Sequence, residues 1–231
     1  MKLRNLAEDL KTLEPLNDFW EKGREDILLN LVKRGPILDV GCGAGTLTKP
    51  LLNKGFDVYA IDIDKNSYEY TKKFNEKTYC VDFSKIDTTK FPKVNTILLA
   101  DILEHCKDDD KILSNAYKLL NKKGDLIITV PHHKMFWSKN DEARGHIRRY
   151  TKKELKQKVK DNGFRVKTIR YRNFLAIGPL LLGKIFEYRT PHESIAKSKL
   201  NHLLRWYFIN IENKIRLPFG TELICVAYKD G

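Results

Sequence analysis

The chain has 231 residues, with 43 Lys and Arg against 30 Asp and Glu and 42% hydrophobic residues, for a formal charge of +13. That length and apolar share suit one folded α/β domain and exclude a disordered chain. No charged stretch leads into a continuous apolar run over positions 1–14, so a cytoplasmic protein is expected. Cys42, Cys80, Cys106 and Cys225 lack C-x-x-C spacing and read as small buried thiols rather than disulfides or a zinc site.

Apolar residues recur at helical spacing from Leu3 to Val32, and Pro15 divides that stretch into two helices. The pattern then alternates. Short apolar strands are expected at Pro36–Gly41, Asp57–Asp62, Thr78–Val81, Asn95–Ala100 and Leu126–Val130. Helices are expected at Thr46–Asn53, Lys65–Asn75 and Asp109–Leu120, the last closed near Gly124. Thr151-Lys152-Lys153-Glu154 fits a capping box that opens a helix ended by Gly163, and Phe164–Tyr171 is a strand. An interruption of 48 residues, Asn173 to Gly220, precedes the last strand, Leu223–Tyr228. Within it Leu200, Leu203, Leu204, Tyr207, Phe208, Ile211 and Ile215 fall on one helical face. Strands alternating with helices imply a mostly parallel sheet with helices on both faces.

The first strand ends in Asp39-Val40-Gly41-Cys42-Gly43-Ala44-Gly45, a turn whose glycines let backbone amides approach a ligand. Asp62 lies 21 residues after Gly41, at the end of the second strand, where a carboxylate can accept both ribose hydroxyls of a nucleoside. An acid two residues before Gly41 repels a phosphate and suits a cation, which argues against a dinucleotide. Four motifs in this order, Asp39–Gly45, Asp62, Asp82-Phe83 and Asp101-Ile102-Leu103-Glu104-His105, resemble those of the class I S-adenosylmethionine-dependent methyltransferases. The resemblance implies a Rossmann-like seven-stranded sheet, mostly parallel with an antiparallel last strand, and a helical insert before that strand. It implies a single methyltransferase domain over residues 1–231, made of N-terminal helices (1–34), a core (35–172), a helical insert or cap (173–220) and the last strand (221–231). It also implies S-adenosylmethionine as cofactor, held by Asp39, Gly41, Cys42, Gly43, Gly45, Asp62, Ile63, Asp82, Phe83 and Asp101. The alternative for Asp82 and Phe83 is that they merely cap and fill a turn.

Ligands of such a sheet bind beyond the carboxyl ends of its strands, which places His105, His132, His133 and His146 in the acceptor zone. A hydroxyl acceptor must lose a proton, and histidine is the base suited to neutral pH. The stretch from Phe136 to Tyr150 has no hydrophobic periodicity yet holds two acids, three Arg and a His, as a lid or acceptor clamp would. It resembles a W-S-x-x-D-E-x-x-G-H-x-R-R-Y segment of microbial methyltransferases whose substrates are poorly defined. His105, His146 and Asp141 are the candidate catalytic residues; the bland reading has Asp141 pairing with Arg148 or Arg149 to hold the loop shut. No metal is assigned, but convergence of Asp101, Glu104, His105 and a later histidine would make a divalent-metal site, as in small-RNA 2′-O-methyltransferases and quinone-precursor O-methyltransferases.

The charge is uneven. Positions 1–143 hold 23 basic and 23 acidic residues, whereas Arg144 to Arg172 alone hold twelve bases and two acids. Arg148 and Arg149 could offer guanidinium forks to an anionic acceptor, and the lysines from Lys152 to Lys160 read as a solvated face. Phe174 to Phe186 is an apolar run of thirteen residues with one charge, too short to span a bilayer. Beside a basic surface it suits a membrane interface or an apolar acceptor. The expected partner is therefore a small-molecule or lipid-linked acceptor, amphiphilic or anionic, with peripheral membrane association. The alternatives are an RNA 2′-O-methyltransferase using a divalent metal, and a non-catalytic module that binds S-adenosylmethionine or nucleic acid; nucleic acid is the less favoured partner, since the basic strand lacks interleaved aromatics.

Overall fold

Near-continuous runs such as Ile37-Leu38 and Ile97-Leu98-Leu99 can be buried on both sides only inside a sheet covered twice. The computed structural model, which describes residues 19–178 and 199–230, has that arrangement. Strands β1 (Ile37–Val40), β2 (Val58–Asp62), β3 (Thr78–Cys80), β4 (Val94–Ala100) and β5 (Leu120–Pro131) run parallel, and β7 (Glu222–Lys229) lies antiparallel between β5 and β6 (Phe164–Arg172). The order is β3-β2-β1-β4-β5-β7-β6, the seven-stranded sheet expected from the motifs.

Alternate residues of each strand enter opposite layers, as a period of two requires. Leu38, Leu99, Ile128 and Cys225 pack on one face with Leu113 of helix α4 (Asp109–Leu119) and Leu155 of α6 (Lys152–Asp161). Ile37, Leu98, Ile127 and Ile224 pack on the other with Ile27 and Leu28 of α1 (Phe19–Leu31) and Leu51 of α2 (Thr48–Asn53). Helix α3 is Lys65–Lys72, α5 is Lys139–Arg144 and α7 is Lys199–Asn210. The capping box at Thr151 forms as expected: its hydroxyl accepts from the Glu154 amide, and the Glu154 carboxylate accepts from the Thr151 amide.

Three expectations shift. The helix expected to close near Gly124 stops at Leu119, and β5 starts at once. Leu120 pairs with Val94 and Asp125 with Thr96, so the residues between them are extruded from the register and Lys123 takes a left-handed φ of 60°. The helix of the insert ends at Asn210, followed by a short 3-10 turn at Glu212–Lys214. Its contact with α1 runs through Asn201 and Phe208: the Asn201 side chain accepts from the Phe19 amide at 2.7 Å, and the Phe208 ring stacks on Phe19 at 5.6 Å. That rotation leaves Leu200 and Leu203 exposed, although the periodicity had placed them on the packing face with Phe208. The first N-terminal helix and the part of the apolar run beyond Gly178 lie outside the described residues.

Phe208→Ala should cost about 3–5 kcal/mol of stability, read from urea unfolding, because it removes a buried ring between α1 and Arg172. A loss below about 1 kcal/mol would mean that α7 does not rest on α1.

Candidate functional site

The carboxyl ends of β1, β2 and β4 open onto a common edge, where the glycine turn sits. Gly41, Gly43 and Gly45 all have left-handed φ, between 52° and 73°. Side chains at Gly41 and Gly45 would run into Ile102 and Phe74, so packing dictates those two glycines. At Gly43 a Cβ would meet nothing within 4 Å, so the open space there is what a ligand can enter. Asp62 governs the turn: one oxygen accepts from the Gly43 amide at 2.8 Å and the other from Asp64 at 2.9 Å, each keeping a second lone pair. Ile63 follows it with 70% of its surface exposed, an apolar side chain next in sequence to the acid.

Asp39 lies buried behind the turn, where the Thr48 hydroxyl donates to it at 2.7 Å. Burial raises its carboxyl to about 6 against the hydrogen bond from Thr48, with the Asp62 charge adding to the rise. Burial likewise raises Asp62. Cys42 is buried, and burial beside those two acids pushes its thiol above the ordinary range, so it stays protonated and is no nucleophile. One oxygen of Asp82 accepts from the amide and hydroxyl of Ser84, and the Phe83 ring packs in the main core.

Beyond β4 the chain turns through Asp101, held at a left-handed φ of 56°. The Thr129 hydroxyl donates to one Asp101 oxygen at 2.7 Å, and Arg24, reaching over from α1, pairs with the other. Asp101 thus stays out of the histidine group. Glu104, His105 and His146 do come together, one donor atom of each lying within 4.8 Å of the others. The two imidazoles meet edge to face with centroids 4.8 Å apart. His146 Nδ1 faces an Asp141 oxygen at 2.9 Å and His105 Nδ1 faces the Gly145 carbonyl at 3.3 Å. Both partners accept, so each ring donates through Nδ1 and keeps its Nε2 lone pair. Burial, then the neighbouring His146, keeps His105 below its ordinary range.

Glu104 is completely buried, and neither carboxylate oxygen meets a partner at hydrogen-bond geometry. Burial pushes its carboxyl up to about 8, despite the pull of its own backbone amide and of the Arg24 and Arg149 charges. A carboxylate with two imidazole lone pairs is a mixed oxygen and nitrogen donor set that fits a divalent transition metal; held at about 2.1 Å, the metal would draw the three side chains closer.

Asp141 holds the second half of the site. It caps α5 by accepting from the Ser138 amide and hydroxyl, it orients His146, and it receives a forked pair of bonds from Arg149 at 2.8 and 2.9 Å. Burial would raise its carboxyl, but the bonds from His146 and Arg149 hold it far below the usual carboxylate range. Two expectations fail here. Arg149 is buried against Asp141 and the His132 carbonyl, and Arg148 pairs with Asp109, so neither fork points at an acceptor. His132 is buried beside Tyr171 and Phe219 with Nδ1 on the Gly220 carbonyl, and neither it nor His133 joins the other two histidines. Arg24 and Thr129 escaped the sequence reading; an isolated Arg on an amphipathic helix carries no local signal, and the contact spans 77 positions.

Residues 13–169 match the model of the methyltransferase domain family. A ubiquinone biosynthesis O-methyltransferase of Pelagibacter ubique is 28% identical over 134 residues, 56% of this chain and 52% of that protein. The chain spans about half the length of that curated relative. A SAM-dependent methyltransferase of Archaeoglobus fulgidus superposes with a TM-score of 0.58 at 19% identity, covering 84% of this chain and 85% of that one. Magnesium protoporphyrin IX methyltransferase of Synechocystis with bound SAH gives a TM-score of 0.58 at 13% identity over 100% of this chain and 89% of that one. The sheet order, the glycine turn and the acid closing β2 agree with that match, and the chain belongs to the methyltransferase domain family and has the fold of S-adenosylmethionine-dependent methyltransferases.

Proposed function

We propose that the chain transfers a methyl group from S-adenosylmethionine to a hydroxyl of an amphiphilic acceptor. The observation that carries the acceptor chemistry is His146, whose Nδ1 is held by the Asp141 anion and which has a donor atom close to those of Glu104 and His105, just beyond β4. A hydroxyl oxygen attacking a sulfonium methyl gives up its proton, and an imidazole held in one tautomer is the base for it. Asp141 in this role positions His146 and balances the imidazolium that forms. Ile147, next to His146, is exposed and lends the mouth an apolar wall. The Pelagibacter relative is named for O-methylation, which supports oxygen as the accepting atom. Nucleic acid fits less well, because Arg148, Arg149, Lys158, Arg165, Lys167 and Arg172, half of the bases between Arg144 and Arg172, already pair with acids of this chain.

The cofactor fits the turn. Gly43 leaves room for it, Asp62 retains lone pairs for ribose hydroxyls, and the two acids Asp39 and Asp62 suit a cation. A second reading has its own support in the orphaned Glu104, which with His105 and His146 would hold a divalent metal that orients the acceptor oxygen. His146 then serves as ligand rather than base.

S-adenosylmethionine should bind in titration calorimetry, and Gly43→Val or Asp62→Ala should abolish or sharply weaken binding; no heat from the wild type overturns the cofactor. Since Asp39 is neutral below about pH 6 and anionic above it, affinity for the cationic cofactor should rise from about pH 5 to pH 7 in the wild type and stay flatter in Asp39→Asn.

With labelled S-adenosylmethionine and a lipid extract of the source cells, the label should enter products that survive mild alkali, as methyl ethers do; label only in base-labile esters or in amines overturns the hydroxyl. His146→Gln should slow that transfer roughly a hundredfold or more without changing cofactor affinity. Transfer that persists in EDTA favours His146 as base, and transfer lost in EDTA and restored by Mn2+ favours the metal reading.

A further inference from the structure

One corner of the molecule is apolar where water should be. On the side of α7 turned away from α1, Leu200, Leu203 and Trp206 are 50%, 62% and 56% exposed. Ile211 and Ile215 continue the apolar surface past the helix end. Phe174 and Leu175, also exposed, are brought to the same corner because the Glu212 carboxylate accepts from the amides of Asn173 and Phe174. The stretch from Ile211 to Leu217 runs along the free edge of β6, where Arg170 donates to the Asn213 and Ile215 carbonyls and Tyr171 bridges to Leu217.

Along this stretch the described charges are mainly basic, with Asp26 of α1 reaching in to accept from the Asn213 side chain. Residues 199–220 contain Lys199, Arg205, Lys214 and Arg216 and a single acid, Glu212. That acid is buried and bonded inward, so it contributes nothing to the surface, while Lys199, Lys214 and Arg216 are exposed. An apolar face flanked by bases, with a Trp at its centre, is the pattern of a helix that lies in a membrane interface. No helix among the described residues is long and apolar enough to cross a bilayer.

We propose that this corner, Leu200, Leu203 and Trp206 with Phe174 and Leu175, docks on the surface of an anionic lipid bilayer. Charge decides between the available occupants. Two copies of the chain meeting through this face would set bases against bases, whereas a phosphate-bearing bilayer supplies both the apolar layer and the opposite charge. The corner also stands at the correct end of the sheet. It springs from Arg172 and Glu222, which pair with each other in register, and Glu222 in turn faces Pro131 at the carboxyl end of β5. A docked molecule therefore presents the end of the sheet that carries Glu104, His105 and His146 to the lipid. Docking narrows the amphiphilic acceptor proposed above to one held in the membrane, but the docking itself does not depend on the acceptor being methylated.

The test is co-sedimentation of the full chain with vesicles of phosphatidylcholine alone and of phosphatidylcholine mixed with phosphatidylglycerol. The wild type should bind the anionic vesicles and bind weakly or not at all to the neutral ones. Leu203→Asp with Trp206→Asp should abolish binding while leaving cofactor affinity and the thermal transition unchanged, because both side chains are exposed. Lys214→Glu with Arg216→Glu should weaken binding at least tenfold, since each base near an anionic surface contributes about a fivefold gain. Absence of binding to anionic vesicles overturns the proposal, as does binding that survives Leu203→Asp with Trp206→Asp. A dimer in solution that those two substitutions dissociate, with no vesicle binding, assigns the face to a second copy and overturns it equally. Loss of cofactor binding in the wild type strikes at the methyltransferase reading and leaves the vesicle result standing.

Discussion

A buried carboxylate is costly unless every lone pair is used, and Asp141 meets that condition with partners drawn from the whole stretch it organises. Ser138 donates to it before α5, His146 and Arg149 after it. Once those bonds form, the amide of Ile147 reaches the Glu104 carbonyl, and the Tyr150 hydroxyl reaches the Leu103 carbonyl and Asp109. A stretch with no hydrophobic pattern of its own is in this way strapped over the exit of β4. The position of His146 opposite His105 is a consequence of that strap. Asp141 therefore bears on folding and on chemistry through one set of bonds. Removing it would leave Arg149 buried without its anion, so a variant there is read through both stability and rate.

Which parts of this were legible beforehand follows from the range of the interactions. The seven strands, the cap at Thr151 and the glycine turn rest on neighbours a few positions apart, and local pattern sufficed for them. The extrusion between Leu120 and Asp125 is set by register against β4, which no local pattern encodes. The same holds for α7: the helical period was correct, but the side that packs depends on where Phe19 waits, 189 positions away from Phe208. At the site, residue types were readable while pairings were not. His105 and His146 meet across 41 positions, and Arg24 finds Asp101 across 77.

Glu104 illustrates the remaining gap. Its sequence neighbourhood marks an acid beside a histidine, which many folds would bury against a cation. Here Arg149 is committed to Asp141 and Arg24 to Asp101, so the nearest positive charges are already satisfied. Most buried polar atoms find partners, and an acid that finds none signals either a proton retained in the fold or a ligand to be received. The ligand option would occupy the two imidazole lone pairs, one of which His146 needs to act as a base, which is why His146 can be a base or a ligand and cannot be both at once.

The formal charge of +13 dissolves on inspection of where it sits. Half of the basic residues between Arg144 and Arg172 are balanced by acids of the chain itself; the remaining surface excess is shared between the exposed lysines of α6 and the stretch along β6 that carries Lys214 and Arg216. Asp39 and Asp62 lie at the ends of β1 and β2, four and five strands away in the sheet order. At about 4.8 Å per strand that separation is roughly 19–24 Å, beyond the ~8 Å over which physiological salt screens exposed charges. The fold can thus hold an anionic pocket for a cationic cofactor and a cationic corner for an anionic surface without either field cancelling the other. The interruption that carries the corner enters after β6 and returns through β7, at the edge of the sheet farthest from β2 and β3. An insertion of the same composition after β2 would have laid its bases across the cofactor turn.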